Sequence, residues 1–498
     1  MTIAAGAGAI IAVGAVFRFL TRSDLWLDEA LTVNIASLSL GRIPSALRQD
    51  GAPPLYYVLL HGWMQIFGTG DLAVRSLSGL FSVANMPAMW WAGRRLGGRR
   101  VAWAAVLLLA ANPFAIRYAT EARMYSLVAL ESTLGVLAVL WALDSPTWRR
   151  LAPVAVLAAA VLYTHYWGIY LLAGGALVLV VRAWHGARLK SPEARLMGAL
   201  AVGGALWLPW VPTFLFQAAH TGTPWATPAG PATLINLVTE YAGGSSEGPR
   251  ILGIALTLLI ALGTLGRAVD GRHVELDLRG QRGARPLLGL LVGAPALALV
   301  AGVASKSAFI PRYTSVVLPM FLLLAGIGMG VIVDRRIWAC LMAALTLMGF
   351  GIASQSALRN RTQAGQVAGY LAAAARPGDV VAFCPDQLGP STARLLGSRF
   401  TYVAFPRGTD PRLVNWVDYD DVNKAASPAA FAQAVERRVP AGRNLWLVST
   451  STYRTSSKSC LEVENRLLAL RPQGRQVVQA RPGKFFEPAS LSLYPAGG

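Results

Sequence analysis

Apolar runs of about 18 to 22 residues recur through the first 355 residues of the chain, each closed by arginines or by Pro/Gly/Asp-rich stretches, and a helix needs that length to cross a hydrocarbon core of roughly 30 Å. We count about eleven such runs, near 3–20, 73–93, 101–116, 124–143, 151–165, 167–183, 197–216, 250–267, 286–304, 313–333 and 337–354. A water-soluble core cannot absorb this much apolar surface. Of 498 residues, 54% are hydrophobic and only 14% charged, which excludes a soluble enzyme of this length. The first run has no A-x-A-like cleavage site and continues into Phe17-Arg18-Phe19, so it is expected to be a retained span and not a removed leader.

Basic residues outnumber acidic ones by 45 to 25, an excess that would point to nucleic acid in a soluble chain. Their distribution points to membrane orientation instead, and no nucleic-acid partner is expected. One set of alternate loops carries Arg94, Arg95, Arg99 and Arg100; Arg149 and Arg150; Arg182, Arg188, Lys190 and Arg195; Arg267, Arg272, Arg279, Arg282 and Arg285; and Arg335 and Arg336. Translocation disfavours short basic loops, so this set is expected in the cytoplasm. The segment 21–72, the loop 117–123, the turn near His165 and the loops 217–249 and 305–312 are poorer in basic residues and are expected to face outward. That alternation requires the shorter apolar stretch Pro54 to Phe67 to lie along the outer interface, with Tyr56, Tyr57 and Trp63 at headgroup depth.

After residue 355 no apolar stretch has membrane length. Asp379 to Cys384, Phe400 to Phe405 and Asn444 to Ser449 read as buried strands, and helical patterns lie near 362–375, 428–438 and 459–470, which predicts a separate soluble α/β layer domain over 356–498. An odd number of crossings from a cytoplasmic start leaves this domain outside. There Cys384, closing a strand, and Cys460, opening a helix, either pair in an oxidising compartment or remain two buried thiols. With Cys340 they lack zinc spacing.

The first outward segment holds Ser23-Asp24-Leu25-Trp26-Leu27-Asp28-Glu29-Ala30, and such a carboxylate pair taken alone is better explained by a solvated loop or a helix cap. Three further motifs follow it. Asp50-Gly51-Ala52-Pro53-Pro54-Leu55-Tyr56-Tyr57 begins the interfacial stretch, Asp71-Leu72-Ala73-Val74-Arg75 opens the next run, and Arg117-Tyr118-Ala119-Thr120-Glu121-Ala122-Arg123-Met124-Tyr125 fills the next outward loop. In order, spacing and expected sidedness the chain resembles the GT-C class of membrane glycosyltransferases, particularly the protein O-mannosyltransferase and aminoarabinose transferase families (glycosyltransferase family 39-like). Their pattern is an Asp-Glu in the first outward loop, a Pro-Pro-Leu helix, an Arg entering the second span and an acidic residue in the second outward loop. Here those positions are Asp28-Glu29, Pro53-Pro54-Leu55, Arg75 and Glu121, and the resemblance covers about residues 1–355.

The resemblance implies one inverting displacement at a polyprenyl-phosphate sugar, with Asp28 as general base. A sugar hydroxyl is a poor nucleophile at neutral pH, and a carboxylate within hydrogen-bond reach can take its proton as it attacks. A lipid-phosphate leaving group needs cations more than an acid. Glu29 and Glu121 would orient the acceptor; metal use differs among members of the class, so a divalent cation on Asp28, Glu29 and Glu121 stays open. Arg312, in Phe309-Ile310-Pro311-Arg312-Tyr313, and Lys306 are the candidates for donor-phosphate binding, although headgroup binding or snorkelling explains Lys306 equally well. Tyr56, Arg123, Tyr125, His165 and Tyr166 are expected to line the substrate cavity, while an interfacial aromatic belt accounts for Tyr166 and Trp167 nearly as well. Glu131, about two turns into its run, is expected to point into the bundle with a structural role. The loop 217–249, with Thr223-Pro224-Trp225, Pro228 and Pro231, suits a flap over the cavity.

Neither a Walker A motif nor a dinucleotide fingerprint is present, so the donor is expected to arrive already activated. The expected fold is an α-helical polytopic membrane bundle of GT-C type with about eleven transmembrane helices, followed by the C-terminal soluble α/β domain. The expected function is sugar transfer from the polyprenyl-phosphate donor to a glycan, lipid or protein acceptor, among membrane lipids, at the outer face of the cytoplasmic membrane. The rival is a transporter or flippase of lipid-linked sugars, which would call for discontinuous helices in two matching halves. A third reading gives the C-terminal domain a scaffold role beside an inactive membrane part.

Overall fold

The computed structural model describes residues 2–184, 191–222, 230–270, 273–305 and 309–496. Lys306, Arg188, Lys190, Arg272 and the flap residues Thr223, Pro224, Trp225 and Pro228 lie outside the described residues.

Each of the apolar runs folds as helix. In chain order, α1 (Thr2–Phe17) is followed by three short helices, α2 (Leu27–Ala36), α3 (Ile43–Asp50) and α4 (Leu55–Phe67), and then by α5 (Asp71–Ala111), α6 (Pro113–Ala119), α7 (Tyr125–Asp144), α8 (Trp148–Thr164) and α9 (Gly168–Ala183). Next come α10 (Pro192–Trp207), α11 (Val211–His220), α12 (Pro231–Tyr241) and α13 (Glu247–Leu265), a short hairpin of β1 (Gly266–Ala268) and β2 (Val274–Leu276), and α14 (Arg285–Ser305), α15 (Leu318–Val331) and α16 (Arg335–Leu358). Among the described residues five segments are by themselves long and apolar enough to cross a membrane: α7, Pro192–His220, α13, Arg285–Ala304 and α16; α5 with α6, bent by 56°, makes a sixth. Three more, Ala5–Phe17, Gly168–Ala183 and Leu318–Val331, are apolar but shorter.

Helix α4 has 13 residues, about 20 Å of helix, too short for a hydrocarbon core of roughly 30 Å. The expected run 73–93 is the first arm of α5, which breaks at Gly97 and Gly98, and the run 101–116 takes in its second arm and, past the bend at Asn112, the start of α6. There the backbone reverses: Gly98 adopts φ 79°, in the left-handed region that favours glycine. The Trp90 and Trp103 rings then meet with centroids 4.5 Å apart, and a Cβ on Gly93 would lie only 2.8 Å from the Ala102 backbone. The first run ends at Phe17 and not at residue 20, because Arg18 folds inward. Its guanidinium donates to the Ser82 hydroxyl at 2.8 Å and to the Leu109 and Ala110 carbonyls at 2.7 and 3.0 Å.

Beyond Leu358 a five-stranded sheet has the order β4-β3-β5-β7-β6, formed by β3 (Val380–Cys384), β4 (Thr401–Ala404), β5 (Leu445–Ser449), β6 (Arg475–Val478) and β7 (Ser490–Tyr494). Strand β3 runs parallel to β4 and β5, and β7 is antiparallel to β5 and β6. Every residue of β3 and β5 is buried, which explains their continuous apolar character. Successive side chains go to opposite faces. Val380, Ala382 and Cys384 pack on α20 (Pro428–Glu436) and α21 (Ser457–Leu470); Val381 and Phe383 pack on α17 (Ala364–Ala374) and on Leu396 of α18 (Gly389–Leu396). The sequence reading located β3, β4 and β5 and the helices α17, α20 and α21. It missed α18, α19 (Tyr419–Ala425), β6 and β7.

Cys384 and Cys460 form a disulfide with Cα atoms 5.4 Å apart, tying the sheet to α21. Closing a loop over a separation of 76 residues restricts the unfolded chain. Cys460→Ser should therefore lower the stability of this layer by about 2–4 kcal/mol, read as faster amide exchange throughout β3 and β5. Unchanged exchange would mean that packing alone holds the layer.

The layer is seated on the bundle. The Trp416 and Asp418 N–H groups donate to the carbonyls of Gln49 and His220 at 3.0 and 2.8 Å, the Asn34 amide donates to the Arg412 carbonyl at 2.8 Å, and Arg394 lies 3.4 Å from Asp71.

Candidate functional site

Asp28 and Glu29 occupy the first turn of α2, where carboxylates are favoured by the helix dipole. Adjacent helical residues diverge by about 100°, so the two cannot share a direction. Asp28 remains partly accessible and places Oδ2 3.0 Å from Nη2 of Arg312, which lies in the short 3₁₀ turn Pro311–Val316. Glu29 turns inward and is fully buried. It accepts from Arg75 Nε and Nη2, both at 2.7 Å, and from the Ala122 N–H at 3.0 Å. Arg75 also donates to the Ser23 and Asp24 carbonyls at 2.6 and 3.1 Å, so one guanidinium fixes both the approach to α2 and its first turn. Burial alone would raise the Glu29 carboxyl, but Arg75, with help from Arg361 and the Ala122 N–H, holds it below the usual carboxylate range.

Glu121 is also buried and is held by Arg117, whose Nε donates at 2.9 Å. Between the two glutamates stands Arg361, 3.7 Å from Glu29 and 3.5 Å from Glu121. Its guanidinium donates to the Thr120 carbonyl and hydroxyl at 3.0 and 2.6 Å, and burial brings it down to about 10. The N-terminus of α2 receives a second contribution from the same C-terminal segment. Glu487 accepts from the Leu27 N–H at 2.7 Å and from the hydroxyls of Thr362 and Ser391 at 2.9 and 2.7 Å; burial pushes its carboxyl up to about 7.

On the Asp28 side the walls are aromatic and cationic. Arg312 lies over the rings of Trp26 and Tyr313 at 5.7 and 5.8 Å. The His165 ring is 5.1 Å from Tyr313 and 6.0 Å from Tyr125, and Tyr118 is 4.9 Å from Tyr125. Arg123 donates to Thr32 at 2.8 Å and reaches the Tyr57 hydroxyl at 3.4 Å. Tyr57 in turn donates to Asp50 at 2.7 Å, whose carboxyl burial pushes up against the opposing pull of Arg123. Trp26 Nε1, Arg123 Nε and the Tyr125 hydroxyl are buried without a hydrogen-bond partner among the described residues. Polar atoms of this kind are costly in a packed interior unless water or a ligand meets them.

Asp28, Arg312, Arg123, Tyr125 and His165 thus form one cluster, with Glu29 and Glu121 in a buried ion network behind it. Tyr56 is buried within the wall, its hydroxyl 2.7 Å from that of Ser78. Tyr166 belongs to a separate group, donating to Gln217, accepting from Trp210 at 3.0 Å and packing on Phe214. Glu131 accepts from Thr164 at 2.8 Å inside the bundle. The carboxylates do not suit a divalent cation. Each already faces a guanidinium, and no three His, Cys, Asp or Glu side chains gather as a metal site among the described residues. Sequence reasoning missed Arg361, Glu487, Asp50 and the pairing of Arg117. Arg361 and Glu487 fall in a segment that reads as a separate domain, and no local pattern marks either as a partner of α2.

Residues 51–211 match the family model for dolichyl-phosphate-mannose-protein mannosyltransferase. The chain is similar in structure to ArnT from Cupriavidus metallidurans in the apo state, with a TM-score of 0.64 at 15% identity over 100% of both chains. Against the same protein bound to undecaprenyl phosphate the TM-score is 0.60 at 15% identity, covering 100% of this chain and 99% of that one. The oligosaccharyltransferase of Archaeoglobus fulgidus in complex with Zn and sulfate gives a TM-score of 0.52 at 11% identity, over 96% of this chain and 72% of that one. No curated protein matches the chain in sequence. The resemblance to the GT-C glycosyltransferases is thus borne out by the family model and by the fold.

Proposed function

We propose that the protein is a membrane glycosyltransferase that moves a sugar from a polyprenyl-phosphate carrier to a hydroxyl acceptor at the outer membrane face, with Asp28 as base and Arg312 as the donor-phosphate ligand. The observation that carries this reading is the contact of a mostly buried carboxylate with a guanidinium, at 3.0 Å, inside a wall of aromatic rings. In the reaction the acceptor oxygen attacks the anomeric carbon while Asp28 takes its proton. The bond from that carbon to the phosphate oxygen breaks, and the charge left on the lipid phosphate is met by Arg312. A single displacement inverts the anomeric centre.

The family match includes Arg75, Glu121, Arg123, Tyr125 and His165, and a solved protein of the same fold is bound to undecaprenyl phosphate, which supports a lipid-phosphate donor here. We read all eleven apolar runs as crossings and place the C-terminal layer outside the cytoplasm. The Cys384–Cys460 disulfide supports an oxidising compartment for it. The acceptor is a glycan, lipid or protein hydroxyl. Glu29 and Glu121, held by arginines, serve to position α2 and the loop before α7.

Arg312→Ala tests the donor assignment. Loss of a charge-assisted contact to phosphate should weaken binding of a polyprenyl-phosphate sugar by roughly 10- to 100-fold, measured separately from turnover. Unchanged affinity would make Arg312 a partner of Asp28 only.

A further inference from the structure

A cavity lies away from Asp28. It is a groove of about 360 Å³ between α7, α8, α9 and α14, with walls almost wholly apolar. Its polar groups sit at opposite ends. Glu131 is near the end of α7 that carries Tyr125, and Arg95, Arg182 and Arg282 line the other end, beside Leu143. Three separate elements supply these arginines: the break in α5, the last turn of α9 and the segment before α14. Arg95 is paired with Asp144 and Arg182 stands 3.7 Å from Glu193, while Arg282 makes no ion pair among the described residues. The rim therefore retains a net positive charge.

We propose that this groove binds an anionic glycerophospholipid, its phosphate among Arg95, Arg182 and Arg282 and one acyl chain running along α7 toward Glu131. The polarity of the groove sets this direction, because the reverse orientation would bring a phosphate to the carboxyl of Glu131. Length agrees. From Glu131 to Leu143 the helix rises about 18 Å, close to the roughly 15 Å that the chains of one leaflet fill in a core of about 30 Å. A polyprenyl chain anchored by its phosphate at Arg312 would have to enter at the carboxyl end and would leave the three arginines unused. Only the leaflet, cytoplasmic by the arginine distribution, rests on the orientation proposed above.

The test uses the purified full chain in phosphatidylcholine nanodiscs containing a minor fraction of phosphatidylglycerol, with retained lipid quantified after extraction into detergent. The wild type should retain phosphatidylglycerol over phosphatidylcholine. Gly135→Leu fills the groove, since a Cβ on Gly135 meets nothing within 4 Å, and should reduce retention about tenfold or more. The triple variant Arg95→Ala/Arg182→Ala/Arg282→Ala should do the same; Arg282→Ala alone, which breaks no ion pair, should give a smaller loss and keeps the test open if the triple variant does not fold. Glycerol phosphate, which carries the headgroup chemistry without a chain, should not compete. Equal retention of the two lipids, full retention in Gly135→Leu or competition by glycerol phosphate would overturn the proposal. So would loss of polyprenyl-phosphate binding in Gly135→Leu, which would assign the groove to the donor. Arg312→Ala, run alongside, should keep phosphatidylglycerol, so failure of the donor reading would show separately as unchanged polyprenyl-phosphate affinity in that variant.

Discussion

Asp28→Asn should lower turnover by roughly 10² to 10⁴, the usual loss for a missing general base, while leaving donor affinity nearly intact. Asparagine keeps the size of the side chain and most of its hydrogen bonds, but it cannot take the acceptor proton. Its contact with Arg312 loses a charge, which frees that guanidinium for the donor phosphate. Donor binding should therefore hold or tighten as turnover falls, opposite to the result expected of Arg312→Ala. Near-wild-type turnover in Asp28→Asn would remove Asp28 as the base. A parallel loss of donor affinity would instead mean that the carboxylate shapes the donor site.

The second large effect is structural. Arg75→Met should destabilise the protein by about 3–5 kcal/mol, because it strands the buried Glu29 without its bidentate partner. Arg75 also holds the Ser23 and Asp24 carbonyls, so the first turn of α2 should loosen with it. Glu29→Leu combined with Arg75→Met removes both charges and should recover a large part of the loss, although Arg361 then keeps only Glu121 as its acidic neighbour. Thermal unfolding of the single and double variants in detergent measures both quantities. A mild single variant would show that water reaches Glu29, and a double variant no better than the single would place the cost elsewhere than in the unpaired charge.

Asp28 and Glu29 are neighbours in sequence with different tasks, and the difference arises from helix geometry. At the sequence level Asp28 and Glu29 read as one acidic motif facing one substrate. Their positions in α2 send one to the accessible side with Arg312 and the other into the bundle with Arg75. Glu121 was expected beside the acceptor for the same reason, and Arg117 and Arg361 enclose it.

Much of the molecule follows from local sequence alone. The apolar runs locate the helices, though not always their ends, because bilayer thickness and backbone hydrogen bonding leave few alternatives. The mostly apolar strands β3 and β5 announce burial on both faces, and the ordered motifs around Asp28, Pro53, Arg75 and Glu121 carry the resemblance to a class. Only the tertiary structure decided how the charges pair. Arg361 and Glu487 reach α2 from far along the chain, and the cluster of Asp28, Arg312 and His165 joins three segments that share no local pattern. Hydropathy and helix length act within a few turns and leave a repeating signal in the sequence. Ion pairing in a packed interior depends on which distant side chains meet, and that is fixed only when the helices and the sheet have docked.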